Sequence, residues 1–154
     1  MTSIHRLALV ASFSCAVLAA AAAPGAAPSP TGATEYPLSC NAAARPLVFK
    51  GWDEVGNIRI AEARESLKKA VAADPKCVMA RASLGLLLPG AEGKKMFDEA
   101  LTLTAKLNEV EKLDLQAREA GRAGDAEKAL ELTKKVVALA PNVYLIYIQV
   151  ANVA

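Results

Sequence analysis

The sequence predicts an all-α fold, on three observations. Alanine, leucine, lysine and glutamate dominate after residue 60, and these residues lose little freedom on entering a helix. Aromatic residues make up only 5% of the chain, far from a sandwich or barrel composition, and much of the 53% hydrophobic content is alanine. Finally, a stretch of helical periodicity occurs twice, and both copies stop at a proline.

The 154 residues are enough for one domain. The N-terminus reads Met-Thr-Ser-Ile-His-Arg and then runs apolar from Leu7 to about Ala23, with small residues at its end. A basic start, an apolar middle and a small-residue end are the parts of a secretory signal peptide. Residues 1–23 are therefore expected to be a leader cleaved after Ala23 or Ala27, and the mature chain to be exported, periplasmic or extracellular. An uncleaved leader would instead be a membrane anchor, though a short alanine-rich run inserts weakly. Cys15 sits inside the apolar run behind Ser12 and Phe13, which is no lipidation box. Residues 24–38, rich in Pro, Ala, Gly, Ser and Thr, read as a flexible spacer with too little apolar surface to order itself. The helical domain is expected over 39–154.

The leader holds Arg6 and no Asp or Glu, so its removal takes the formal net charge from +2 to +1. Basic and acidic residues are interspersed, as at Glu62, Arg64, Glu65, Lys68 and Lys69, and no patch suited to nucleic acid stands out. His5, the only histidine, also leaves with the leader. The mature chain then has no Ser-His-Asp or Cys-His site and no histidine metal site, and two cysteines do not make a zinc site. No cofactor or metal is expected. Ser66-Leu-Lys-Lys69 fits Ser-x-x-Lys but lies inside an amphipathic helix without its partner motifs. Gly90-Ala-Glu-Gly-Lys-Lys95 lacks the full spacing of a phosphate loop and reads as a turn.

The repeat sets the rest. Ala61 to Pro75 aligns without a gap on Glu127 to Pro141. Apolar residues fall at helical spacing in both, at Ala63, Leu67, Ala70, Val71 and at Ala129, Leu132, Val136, Val137. The two prolines stand 66 residues apart, about twice a period of about 34. Between them Val78 to about Leu88 reads as a first helix, Pro89 to Gly93 as a long turn and Lys95 to Leu107 as a second helix. Tyr147, Val150 and Ala151 begin a further helix that stops at Ala154; the sequence is expected to be a fragment of a longer repeat protein, the alternative being that this helix caps the array. A strand over Val143 to Val150 is the alternative there.

This pattern resembles the tetratricopeptide repeat family over about residues 44–154. The matching positions are Leu47, Gly51, Ala63, Leu67, Ala70 and Pro75, then Leu84, Gly85 and Ala100, then Leu113, Ala117, Ala129 and Pro141, then Tyr147 and Ala151. Gly124-Asp125 occupies the turn between helices. The resemblance implies a right-handed superhelical solenoid of antiparallel hairpins, with first helices lining a concave face that binds a protein or peptide partner and performs no catalysis. The inward candidates by resemblance are Val48, Trp52, Val55, Ala82, Leu86, Asp114, Arg118 and Arg122. Val48 and Trp52 stand where some family members use lysine and asparagine to hold a terminal carboxylate, so that clamp is not expected. A regulatory or sensor segment of a longer membrane-associated or enzymatic protein is the alternative role. Cys40 precedes the first helix and Cys77 follows the second, so the two ends of an antiparallel hairpin would place them side by side. A disulfide is expected there in an oxidising compartment.

Overall fold

The structure is a computed structural model that describes residues 36–140. Those residues are all-helical: six α-helices, one 3-10 turn and no strand. They are α1 (Arg45–Gly56), α2 (Ile60–Ala73), α3 (Val78–Leu87), α4 (Gly90–Thr102), α5 (Glu109–Arg122) and α6 (Ala126–Leu139), with the 3-10 turn at Thr104–Lys106. The expected leader, most of the spacer, Pro141, Tyr147, Ala151 and the strand alternative lie outside the described residues.

The helices pack as consecutive pairs, α1 on α2, α3 on α4 and α5 on α6, with α2 also against α3 and α3 against α5. Short connections force each pair to run antiparallel. Local chemistry sets several ends. Pro46 opens α1, where a missing N–H costs nothing. Asn108 and Glu111 form a reciprocal capping box at the start of α5, and Asp125 accepts from Lys128 N to cap α6. The Leu87 carbonyl at the end of α3 accepts from Arg64 Nε of α2 at 2.8 Å, tying the first pair to the second.

Close approach within each pair depends on small residues. Ala63, Gly93 and Ala129 are each the fourth residue of the second helix of their pair, and all three are buried. One turn on come Leu67, Phe97 and Thr133, and then Ala70, Ala100 and Val136, all buried. The expected contacts at Gly51, Leu84, Gly85 and Ala117 are buried as well, Leu47 and Leu113 are half-buried, and Pro75 is exposed.

The middle pair departs from the sequence reading. Pro89 to Gly93 is not a long turn, because α4 already begins at Gly90, and it ends at Thr102 rather than Leu107. Helix α3 has 10 residues where α1 has 12 and α5 has 14, so the irregularity is a shortened first helix. Beyond Thr102 the chain continues through a 3-10 turn at Thr104–Lys106 rather than as α-helix. Gly93 supplies the closest contact in this pair: a Cβ there would lie 2.2 Å from the Leu88 carbonyl oxygen and 2.6 Å from that of Gly85.

Cys40 and Cys77 are bonded, with Cα atoms 4.8 Å apart. The bridge joins the segment before α1 to the start of α3 across a separation of 37 residues, which constrains the unfolded chain by about 2–4 kcal/mol. Beside it Asn41 N donates to Asp74 Oδ2 at 2.8 Å and Asn41 Nδ2 to the Ala73 carbonyl at 2.9 Å.

Candidate functional site

Helices α1, α3 and α5 meet at one hydroxyl. Ser83 Oγ of α3 accepts from Trp52 Nε1 of α1 at 2.7 Å and from Arg118 Nη1 of α5 at 3.3 Å, which uses both of its lone pairs. Arg118 Cζ also lies over the Trp52 ring, 5.6 Å from its centroid. Arg118 is oriented in turn by Asp114 one helical turn earlier, through Nε to Oδ1 at 2.8 Å and Nη2 to Oδ2 at 3.2 Å. Burial works against the Arg118 charge, but Asp114 outweighs it and holds the guanidinium pKa above its ordinary value.

This face carries an extended piece of the same chain. From Tyr36 to Cys40 burial alternates: Tyr36, Leu38 and Cys40 are buried, Pro37 and Ser39 exposed. A period of two is that of an extended segment with one side turned to a surface. The inward residues join one core cluster with Val48, Trp52, Leu67, Met79 and Val110. The Tyr36 ring meets Trp52 edge-on with centroids 5.1 Å apart, and Phe49 flanks Trp52 at 5.9 Å. The Tyr36 hydroxyl donates to Asp114 Oδ2 at 2.8 Å. Burial, and then the Asp114 charge, push the Tyr36 pKa well above its usual range.

The polar side of this strap is held by the capping box of α5. Ser39 N donates to Glu111 Oε1 at 2.8 Å and Ser39 Oγ donates to Glu111 Oε2. Asn108 Nδ2 donates to the Pro37 carbonyl, and to Glu111 Oε2 at 2.7 Å. Glu111 is buried, so its carboxylate depends on these donors. One glutamate therefore both starts a helix and holds the strap.

These contacts change the standing of the eight expected groove residues. Trp52, Asp114 and Arg118 do converge, but Trp52 and Asp114 are covered and Arg118 is half-buried. Val48 and Ala82 are fully buried core residues that no partner could touch in this state. Arg122 is exposed, with its Cζ 4.6 Å above the buried Phe97 ring. Leu86 is 40% exposed and Val55 half-buried, each one turn beyond the covered part of its helix. The expected spacer ended at residue 38, but its last residues, Tyr36 to Leu38, belong to the folded unit because their side chains and carbonyls have partners there. Tyr36, Ser83 and Glu111 were not singled out in the sequence. Asn108-x-x-Glu111 was a readable capping-box signal; nothing local marked Tyr36 or Ser83.

Among the described residues no group of three or more His, Cys, Asp or Glu could hold a metal ion, and no helix is long and apolar enough to cross a membrane. No protein-family model matches the chain, and no curated protein or solved structure is significantly similar to it.

Proposed function

We propose that this chain is an exported protein-interaction module, a tetratricopeptide-like solenoid of helix hairpins that holds an extended segment of a partner along the face of α1, α3 and α5 and performs no catalysis. The observation that carries this reading is the strap. Residues 36–40 lie on that face as an extended chain, with alternate side chains inward and with Ser39 and the Pro37 carbonyl hydrogen-bonded at the rim. A surface that binds an extended segment in this way has the apolar floor, the buried acceptors and the aromatic contact that such recognition uses. Export is supported by the leader-like N-terminus and by the Cys40–Cys77 bond, which is at home in an oxidising compartment.

Leu86, on α3 one turn beyond Ser83 and 40% exposed, is where a partner first makes contact. Leu86→Glu should abolish partner capture from envelope or culture-medium extracts while leaving the fold intact, since the side chain is exposed. Lys95→Glu on exposed α4 surface serves as the control. Equal capture by both variants and by the unaltered chain would contradict the reading.

A further inference from the structure

We infer that residues 36–39 are a tethered ligand of this face, and that the partner replacing them is an extended segment with an unmodified tyrosine followed two residues later by an aliphatic residue. This inference rests on the interaction reading above and specifies the chemistry of the partner.

Within the described residues the strap is held differently along its length. Its C-terminal end is fixed by the Cys40–Cys77 bond and by Asn41 on Asp74 and Ala73. Among the described residues upstream of Cys40, the hold consists of two inward side chains, Tyr36 and Leu38, and of hydrogen bonds to Asp114, Glu111 and Asn108. None of these contacts is needed to form a helix. Beneath the strap the face holds itself together, because Trp52, Ser83, Arg118 and Asp114 bond to one another without it. Residues 36–39 can therefore come off as a unit while Cys40 and the helices stay in place.

The face also dictates what can replace the strap. Asp114 and Glu111 are carboxylates that offer only acceptors to the strap, so a ligand that takes its place repeats these contacts by bringing a donor to each. A hydroxyl on an aromatic ring satisfies Asp114 at the edge of Trp52. A backbone N–H three residues further on satisfies Glu111, and an aliphatic side chain fills the place of Leu38. A phosphorylated tyrosine would set a phosphate against the Asp114 carboxylate, so it is rejected by charge and by space. The strap competes from its own tether, and the intact chain binds an outside segment more weakly by the fraction of time the face is open.

The test uses the full chain with its disulfide intact. Trp52, the only tryptophan, reports on the face. In a Tyr36→Ser, Leu38→Ser variant its emission should move to the red while the helical circular dichroism is unchanged. A synthetic peptide, acetyl-Glu-Tyr-Pro-Leu-Ser-amide, should restore the emission saturably in the variant and bind the unaltered chain at least about tenfold more weakly. The same peptide with Phe for Tyr should lose about tenfold, as expected for one hydrogen bond to a charged acceptor, and the phosphotyrosine peptide should not bind. A folded variant that no peptide restores, or equal binding to both proteins, overturns the inference. If the variant does not fold, hydrogen exchange on the unaltered chain decides. The Ser39 amide should exchange at least about a hundredfold faster than helix amides of α3 and α5, through a local opening. Equal protection makes the strap an inseparable part of the core and overturns the inference. Loss of partner capture by Leu86→Glu would in that case still stand, so failure of the strap is distinguishable from failure of the interaction reading.

Discussion

The hydroxyl of Tyr36 donates to Asp114 Oδ2 at 2.8 Å, across 78 positions of the chain. This bond reaches from the strap to the ion pair that orders α5 over Trp52. Tyr36→Phe keeps the edge contact with Trp52 and removes one donor from a buried carboxylate. The expected cost is about 1–3 kcal/mol, read as a lower urea midpoint followed by Trp52 fluorescence.

The same tyrosine gives the fold an alkaline limit. Burial, and then Asp114, raise its folded pKa well above the unfolded value near 10.0. The folded state therefore keeps the proton where the unfolded state has lost it. The stabilisation is fully present below about pH 10 and is lost as pH rises from there toward the folded pKa. Urea unfolding at a series of pH values from 8 to 11 should show a steeper fall for the unaltered chain than for Tyr36→Phe, with the two converging at the alkaline end. Parallel curves would contradict this linkage.

Two glycines on neighbouring helices should respond with opposite signs. At Gly93 an added methyl meets the Leu88 and Gly85 carbonyls, which are backbone and cannot rotate away. Gly93→Ala should destabilise by about 1–3 kcal/mol as α3 and α4 are forced apart. At Gly121 the nearest atom is the Ala129 Cβ at 4.0 Å, an ordinary contact. Gly121→Ala should stabilise by up to about 1 kcal/mol through helix propensity alone. Thermal unfolding of the pair measures both.

The turn of the first pair is strained at Ile58, which has φ of 60° and is 85% exposed. In the third pair Gly124 takes the corresponding turn with φ of 81°. A β-branched residue in the left-handed region costs about 1–2 kcal/mol, and an exposed side chain recovers little of that by packing. Ile58→Gly should raise the unfolding midpoint and Gly124→Ile should lower it.

The first and third pairs were legible because their second helices align without a gap and end at equivalent prolines. The middle pair was misplaced for a physical reason. Pro89-Gly90 has the composition of a turn, yet proline just before a helix and a glycine with positive φ at its start are compatible with helix from Gly90 on. The small-residue contact of that pair was expected at Ala100, which is buried, but the tightest approach is at Gly93. The strap was hidden more deeply. Its period of two spans only Tyr36 to Cys40 at the end of a proline- and alanine-rich stretch, and the side chains that hydrogen-bond residues 36–39 lie 69 to 78 residues away. Trp52, Asp114 and Arg118 were expected on one face and do meet there; that the chain covers them itself could not be read from spacing. The Cys40–Cys77 bond followed from the hairpin geometry, since both cysteines flank the same pair.

In the proposed function an extended segment of another protein lies along α1, α3 and α5. A photo-crosslinking residue placed at Leu86, and separately at Lys95 on α4, checks this with the chain in its native compartment. The expected result is a partner crosslinked through Leu86 alone, with the attachment mapping to an extended tyrosine-containing segment of that partner. Crosslinks of equal yield from both positions, or from Lys95 alone, would contradict the account.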